Sequence, residues 1–150
     1  MDTMENKMVI GIDDELEAVM PDMEETKAVM RRPYVAWTVG GKEYKLKLTT
    51  SVITKLEQRF GKSLMVAVLD DGIPPLSTVV TVIQASLQRF HHGIKSYDVE
   101  LMLDEYLDAG GTQISLLKDV VYPLMADAGF FTEAQMKLLT KEMSEADSSL

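Results

Sequence analysis

The sequence predicts a mainly α-helical α+β protein, in which an N-terminal β-hairpin is followed by a bundle of about five to six short helices. Two β-rich segments on either side of Gly40-Gly41 indicate the hairpin. After it, apolar residues recur about every 3.6 positions between Ser, Thr and Gly residues that suit helix ends, which indicates the helices. We expect an acidic, flexible arm over residues 1–33, a hairpin plus helical domain over residues 34–131, and a C-terminal helix with a polar tail over residues 132–150.

The N-terminal arm is marked by its charge. Residues 1–30 contain nine acidic residues against two lysines, a net charge of -7, whereas the whole chain has a formal charge of -9. Residues 13–20 and 22–30 can each form a short helix, but isolated helices of this length are marginal in water. We therefore expect the arm to be flexible unless a partner binds it.

The hairpin is predicted from residues 34–39 and 43–48, which are rich in β-branched and aromatic residues. Gly40-Gly41 suits a two-residue turn in which both residues have positive φ. Tyr44, Leu46 and Leu48 alternate with charged residues, so one face should be buried. Because a lone hairpin is barely stable in water, we expect it to pack on the helices or to pair with another subunit.

The first two helices are predicted from their caps. Thr49, Thr50 or Ser51 can cap a helix that ends at Gly61, and Ser63 can cap a short apolar helix after it. A third, longer helix is expected to be capped by Ser77 and to continue through Phe90.

Three further helices complete the bundle. Ser96 is the expected cap of the fourth, and Thr112 is the expected cap of the fifth. Pro123 lies inside the apolar pattern of the fifth helix and should bend or split it near Val120. The last helix is expected to begin at Thr132 and to give way to a polar tail.

No residue pattern in the chain predicts catalysis. The chain has no cysteine and two adjacent histidines, His91 and His92, which diverge on a helix and suit a helix end better than a metal site. Asp104 and Asp108 lie one turn apart, but we interpret them as part of the solvated face of a helix. We therefore expect a protein that is not an enzyme and holds neither cofactor nor metal.

Composition also bounds the partners and the compartment. Neither part of the chain has the basic stripe that phosphate neutralisation requires, so nucleic-acid binding is not expected. The apolar runs are far shorter than the roughly 20 residues of a membrane span. The acidic N-terminus does not resemble a signal peptide, and the lack of cysteine suits a reducing compartment, which favours the cytoplasm.

Aromatic and methionine residues are the remaining candidates for a binding surface. Phe130 and Phe131 are adjacent, and we expect that one of them faces a second subunit or a client. The last helix carries an apolar stripe without an obvious partner, and a Met-rich surface suits varied apolar helices. The predicted partner-binding residues are Phe130, Phe131, Met136 and Leu139, followed by Trp37 and Tyr34 if the hairpin edge pairs across subunits.

Four segments, taken in order, resemble a known family. They are VGGKEYKLKLTTSVITKLEQRFGKSL, IPPLSTVVTVIQASLQRFHHGI, DVELMLDEYLDAGGTQISLL and MADAGFF. Over about residues 34–131 the chain looks like a tail assembly chaperone of long-tailed (siphovirus-type) bacteriophages and prophages of Gram-positive bacteria.

The resemblance implies a role in tail morphogenesis in the host bacterial cytoplasm. Proteins of this family are thought to coat the tape measure protein, a long apolar helical chain, until tail-tube subunits polymerise around it. The resemblance thus implies the tape measure protein as client, the tail-tube protein as a further contact, and self-association. Two other hypotheses stay open: a structural tail component such as a tube-end or connector subunit, and an acidic inhibitor that uses residues 1–30 as a decoy.

Overall fold

The structure, a computed structural model, describes residues 32–70 and 72–149. The predicted acidic arm, residues 1–33, lies outside these residues except for Arg32 and Pro33. Among the described residues, a two-stranded antiparallel hairpin is followed by six helices, which confirms the predicted fold class.

The hairpin consists of β1 (Val35–Val39) and β2 (Lys42–Leu46), with Val39 paired to Lys42 across the turn. Gly40 and Gly41 have φ of 58° and 76°, as the sequence predicts for this turn. The alternate residues of β1 are buried, beginning with Val35. The hairpin therefore packs on the helices with one face. The sequence analysis expected either this arrangement or pairing with another subunit.

The first three helices are α1 (Thr50–Phe60), α2 (Leu64–Leu69) and α3 (Leu76–Leu87). Thr49 and Ser63 cap α1 and α2 as predicted, because their hydroxyls accept backbone N–H groups three residues on. Gly61 ends α1 in the left-handed conformation, with φ of 70°.

The limits predicted for α3 are wrong at both ends. Pro75, rather than Ser77, is the residue before the helix, since the proline ring holds an extended backbone there. The helix stops at Leu87 and leaves Phe90 exposed, because the side chains of Gln84 and Gln88 donate to the carbonyl of Ile94 and turn the chain away.

The fourth helix, α4 (Ser96–Asp108), begins one residue before the predicted position, with Lys95 as its cap residue. Asp98 accepts the N–H of Lys95 at 2.9 Å, so Ser96 is the first helical residue and the prediction that it caps the helix is wrong. The helix ends at Asp108, and Gly110 and Gly111 follow it as the expected exit.

The fifth helix, α5, covers residues 113–127 in three pieces: Gln113–Leu116, a π-helical turn Leu117–Val121, and Tyr122–Asp127. Thr112 caps it through reciprocal hydrogen bonds with Ser115, as predicted. Pro123 has no N–H to donate, and immediately before it the backbone hydrogen bonds change from the α-helical to the π-helical pattern. The predicted break near Val120 is therefore confirmed.

The last helix, α6 (Glu133–Ser149), starts with a capping box in which Thr132 and Gln135 exchange hydrogen bonds. It packs on α5 and continues through residues 144–149, which the sequence suggested as a polar tail. Its contact with α5 includes a hydrogen bond from Lys118 to Ser144.

One apolar cluster joins the hairpin to the helices. The apolar side chains with no exposed surface come from β2 and from all helices between α2 and α5: they are Leu46, Leu64, Val82, Ile83, Leu87, Val99, Tyr122, Leu124 and Met125. None of the helices in residues 32–70 and 72–149 has both the length and the apolar character that crossing a membrane requires.

Candidate functional site

Within residues 32–70 and 72–149, two side chains have clearly displaced pKa values, and both belong to the fold. His91 lies after α3, and its Nε2 accepts the N–H of Lys45 from the outer edge of β2 at 3.0 Å. Burial lowers the pKa of His91, and the nearby charges of Lys42 and Lys45 lower it further. A neutral His91 ring is thus a hydrogen-bond acceptor that covers a strand edge, and it lies at the end of a helix as the sequence suggested.

Tyr122 is the second displaced group. Its ring is fully buried, and burial raises the pKa of its phenol, with Glu142 adding to the effect. Its hydroxyl and the indole nitrogen of Trp37 have no hydrogen-bond partner within residues 32–70 and 72–149. In that same part of the chain, no group of three or more His, Asp, Glu or Cys residues is arranged to hold a metal ion.

Two of the six predicted partner-binding residues lie in the core. Trp37 is 3% exposed and packs edge-on against Tyr106, with ring centroids 5.9 Å apart. Phe131 is 5% exposed and packs edge-on against Tyr122. In the native fold, these two rings therefore present very little surface to a partner.

The other four, Tyr34, Phe130, Met136 and Leu139, are half-buried. A partner contact of Phe130 stays a prediction, but Phe130 and Phe131 both pack on the core, Phe130 half-buried and Phe131 buried. The reason is local: Gly129 has φ of 95° and the N–H of Phe130 bonds to the carbonyl of Met125, which is the Schellman ending of α5. This ending reverses the chain, so that adjacent residues meet the core from different directions.

A more open apolar surface lies elsewhere, between α3 and α4. We call it the α3–α4 groove; it has a volume of about 380 Å³. Its lining residues are Leu76, Ser77, Val80, Glu100, Leu103, Asp104 and Leu107. The leucines and the valine supply apolar side chains, and the exposed Glu100 and Asp104 supply negative charge along the side formed by α4.

Further exposed apolar side chains occur on α4 and just before α3. On α4, Tyr97 and Leu101 are 68% and 49% exposed and stand one turn apart on the same face. Ile73, three residues before Leu76, is 47% exposed. An apolar groove with such neighbours can accept the apolar face of a helix.

The sequence did not predict this surface, although Leu101 and Leu107 of α4 are not among the buried residues of that helix, Val99, Met102 and Leu103. The six residues of α2, LMVAVL, are all apolar, and a helix on the surface of a small domain cannot bury every side. Met65 and Val66 are in fact exposed, at 37% and 41%.

The sequence profile of a family of unknown function (DUF6096) matches residues 31–150. No curated protein and no solved structure matches the chain. The matched span contains all the described residues, and the acidic residues 1–30 precede it.

Proposed function

The chain belongs to the family of unknown function DUF6096, and we propose that it is a non-enzymatic binding protein that covers an apolar helical client. More specifically, we propose a tail assembly chaperone that keeps the tape measure protein soluble during phage tail morphogenesis in the bacterial cytoplasm. The observation that carries the proposal is the α3–α4 groove with its exposed apolar neighbours.

The groove suits a helix for two reasons. Its floor is formed by aliphatic side chains of two helices, and an amphipathic helix places residues at i, i+3 and i+4 into such a floor. Burying one leucine of the client stabilises the complex by roughly 1.5–3 kcal/mol. A few such contacts therefore suffice for a complex that later releases its client to the tail-tube protein.

The acidic charges of the chain also favour binding of the client and solubility of the complex. Glu100 and Asp104 beside the groove favour clients whose apolar face is bordered by Lys or Arg. The formal charge of -9 keeps the complex soluble while the apolar client is covered.

Co-expression with a fragment of a tape measure protein tests the proposal. The test variant is the double substitution Leu76→Asp and Leu101→Asp, and the matched control is Leu138→Asp, since Leu138 is an exposed leucine of α6. An aspartate at the first residue of α3 is compatible with the helix dipole, and Leu101 is 49% exposed, so the double variant should fold.

Wild type and Leu138→Asp should keep the fragment soluble, and the double variant should weaken binding by about tenfold or more, since 1.4 kcal/mol corresponds to a factor of ten. Equal solubility with all three proteins would remove the groove from the proposal. Finding the chain at fixed stoichiometry in purified virions would favour the structural tail component instead.

A further inference from the structure

A second groove lies along α6. Arg32, the first residue that the structure describes, is one of its lining residues. We call it the α6 groove; it has a volume of about 430 Å³ and shares no lining residue with the α3–α4 groove. Its lining residues are Arg32, Glu133, Met136, Lys137, Thr140, Lys141 and Ser144. Three basic side chains and one acidic side chain give it a net charge of +2 on a chain whose total is -9.

The backbone of Arg32 is fixed beside this groove. Its N–H donates to Asp127, and its carbonyl accepts a hydrogen bond from the ammonium of Lys47. Lys47 and Asp127 also form a salt bridge of 2.8 Å, and their side chains are 12% and 4% exposed. The point at which the preceding residues join the fold is therefore held at the edge of the groove.

We propose that the acidic residues 1–30 dock on the α6 groove of their own chain. The preceding segment carries a net charge of -7, and the groove that Arg32 itself lines is positive. Opposite charges attract at distances up to about 8 Å at physiological ionic strength, and the attachment at Arg32 keeps the segment near the groove. The proposal goes beyond the proposed function and concerns a different surface.

The segment is long enough to follow α6. Seven of its nine acidic residues lie between positions 13 and 25. Residue 25 is seven positions before Arg32, which allows a reach of about 25 Å, and the 17 residues of α6 span a similar length of about 26 Å. The acidic residues can thus reach Lys137 and Lys141 of the groove.

A spin label in the full chain tests the proposal. Because the chain has no cysteine, Ala18→Cys gives a single attachment site for a nitroxide. At low salt, the label should broaden the backbone amide signals of residues 133–144 in the isotope-labelled protein. High salt should restore them, since the screening length falls to about 3 Å at 1 M.

Charge reversal identifies the docking site. Lys137→Glu with Lys141→Glu should abolish the broadening of α6, because it reverses the charge of the groove. Lys62→Glu with Lys95→Glu is the matched control, since both lysines are exposed and line neither groove, and it should leave the broadening unchanged. Broadening that is spread evenly over the surface, or that survives the reversal on α6, would overturn the proposal.

A mixed sample separates docking within one chain from docking on a second copy. Isotope-labelled protein without a nitroxide is mixed with spin-labelled protein that carries no isotope. Absence of broadening in this mixture, together with broadening in the doubly labelled chain, is the expected result. Broadening of α6 in the mixture would show that the acidic residues bind a neighbouring molecule, which would refute docking on their own chain.

Discussion

His91 shows how a single side chain supports the hairpin. The N–H of Lys45 points away from β1, and the neutral imidazole accepts it, while the ring packs edge-on against Tyr44 at 5.4 Å. The neighbouring Lys47 N–H is bound by the carbonyl of Ser86 in α3 at 2.8 Å. The edge of β2 is thus covered by one side chain and one helix, rather than left open for another chain.

Acid should weaken this contact. The pKa of His91 is lower in the fold than its usual value of about 6.5, so the unfolded chain binds the proton more readily. The contribution of His91 to stability is therefore present above about pH 6.5 and is lost as the pH falls through the lowered folded value. Protonation removes the acceptor and places a third positive charge beside Lys42 and Lys45.

Urea unfolding at pH 7.5 and pH 5 measures the effect. His91→Gln keeps an acceptor for Lys45 but cannot titrate, so its free energy of unfolding should fall less between the two pH values than that of the wild type. His91→Ala should lose roughly 0.5–1.5 kcal/mol at pH 7.5, the value of one hydrogen bond. His92→Gln, at the exposed neighbour, should behave like wild type; an equal pH response for His91→Gln would contradict the assignment.

Among the elements, the end of α4 depends on a glycine for packing as well as for conformation. The N–H of Gly111 bonds to the carbonyl of Tyr106, and a Cβ on Gly111 would lie 2.3 Å from the Tyr106 ring. This ring cannot move freely, because its hydroxyl bonds to Ser115 at 2.6 Å and the ring packs against Trp37. The helix end, the next cap and the hairpin are therefore packed together.

Gly111→Ala should destabilise the protein by about 1–3 kcal/mol, the usual cost of an overpacked core position. Gly93→Ala is the matched control, since no atom lies within 4 Å of its added Cβ and its φ is not positive. The control should be neutral or slightly stabilising, through the reduced entropy of the unfolded chain. Thermal unfolding compares the two, and equal melting temperatures would show that the Tyr106 ring adapts without strain.

At the level of the whole molecule, Lys47 and Asp127 connect three distant parts of the chain. Lys47 follows β2, Asp127 ends α5, and both bond to the backbone of Arg32 before β1. Their separation of 80 residues means that this contact forms only when the hairpin has docked on the helices. Separating a buried charge pair of this kind is costly while either charge stays buried, so the contact favours this arrangement of the three parts.

Breaking the pair from one side should be costly. Asp127→Ala leaves Lys47 without its carboxylate and should lower the free energy of unfolding by about 3–5 kcal/mol. Lys47→Met combined with Asp127→Leu should cost less than the sum of the single changes, with a coupling of about 0.5–3 kcal/mol. Asp119→Ala, at an exposed aspartate of α5, should stay within about 0.5 kcal/mol of wild type. Additive effects in urea unfolding would contradict the coupling.

The features that the sequence determined are local ones. The turn at Gly40-Gly41, the caps at Thr49 and Thr112 and the break before Pro123 each depend on φ, on a missing N–H or on a hydrogen bond between residues three positions apart. These interactions require no knowledge of the rest of the fold, so the residue types alone predict them.

The burial of particular side chains and the position of the apolar groove depend on contacts between distant residues, so only the tertiary structure decided them. Phe131 is buried because the Schellman ending of α5 turns the chain onto the core, and Leu107 and Leu76 line one groove because α3 and α4 pack side by side. Only the packed chain determines which apolar side chains remain exposed, since helices such as α2 and α4 have more apolar residues than one face can bury. For that reason the apolar groove could be located only from the structure, although the helices that form it were predicted from the sequence.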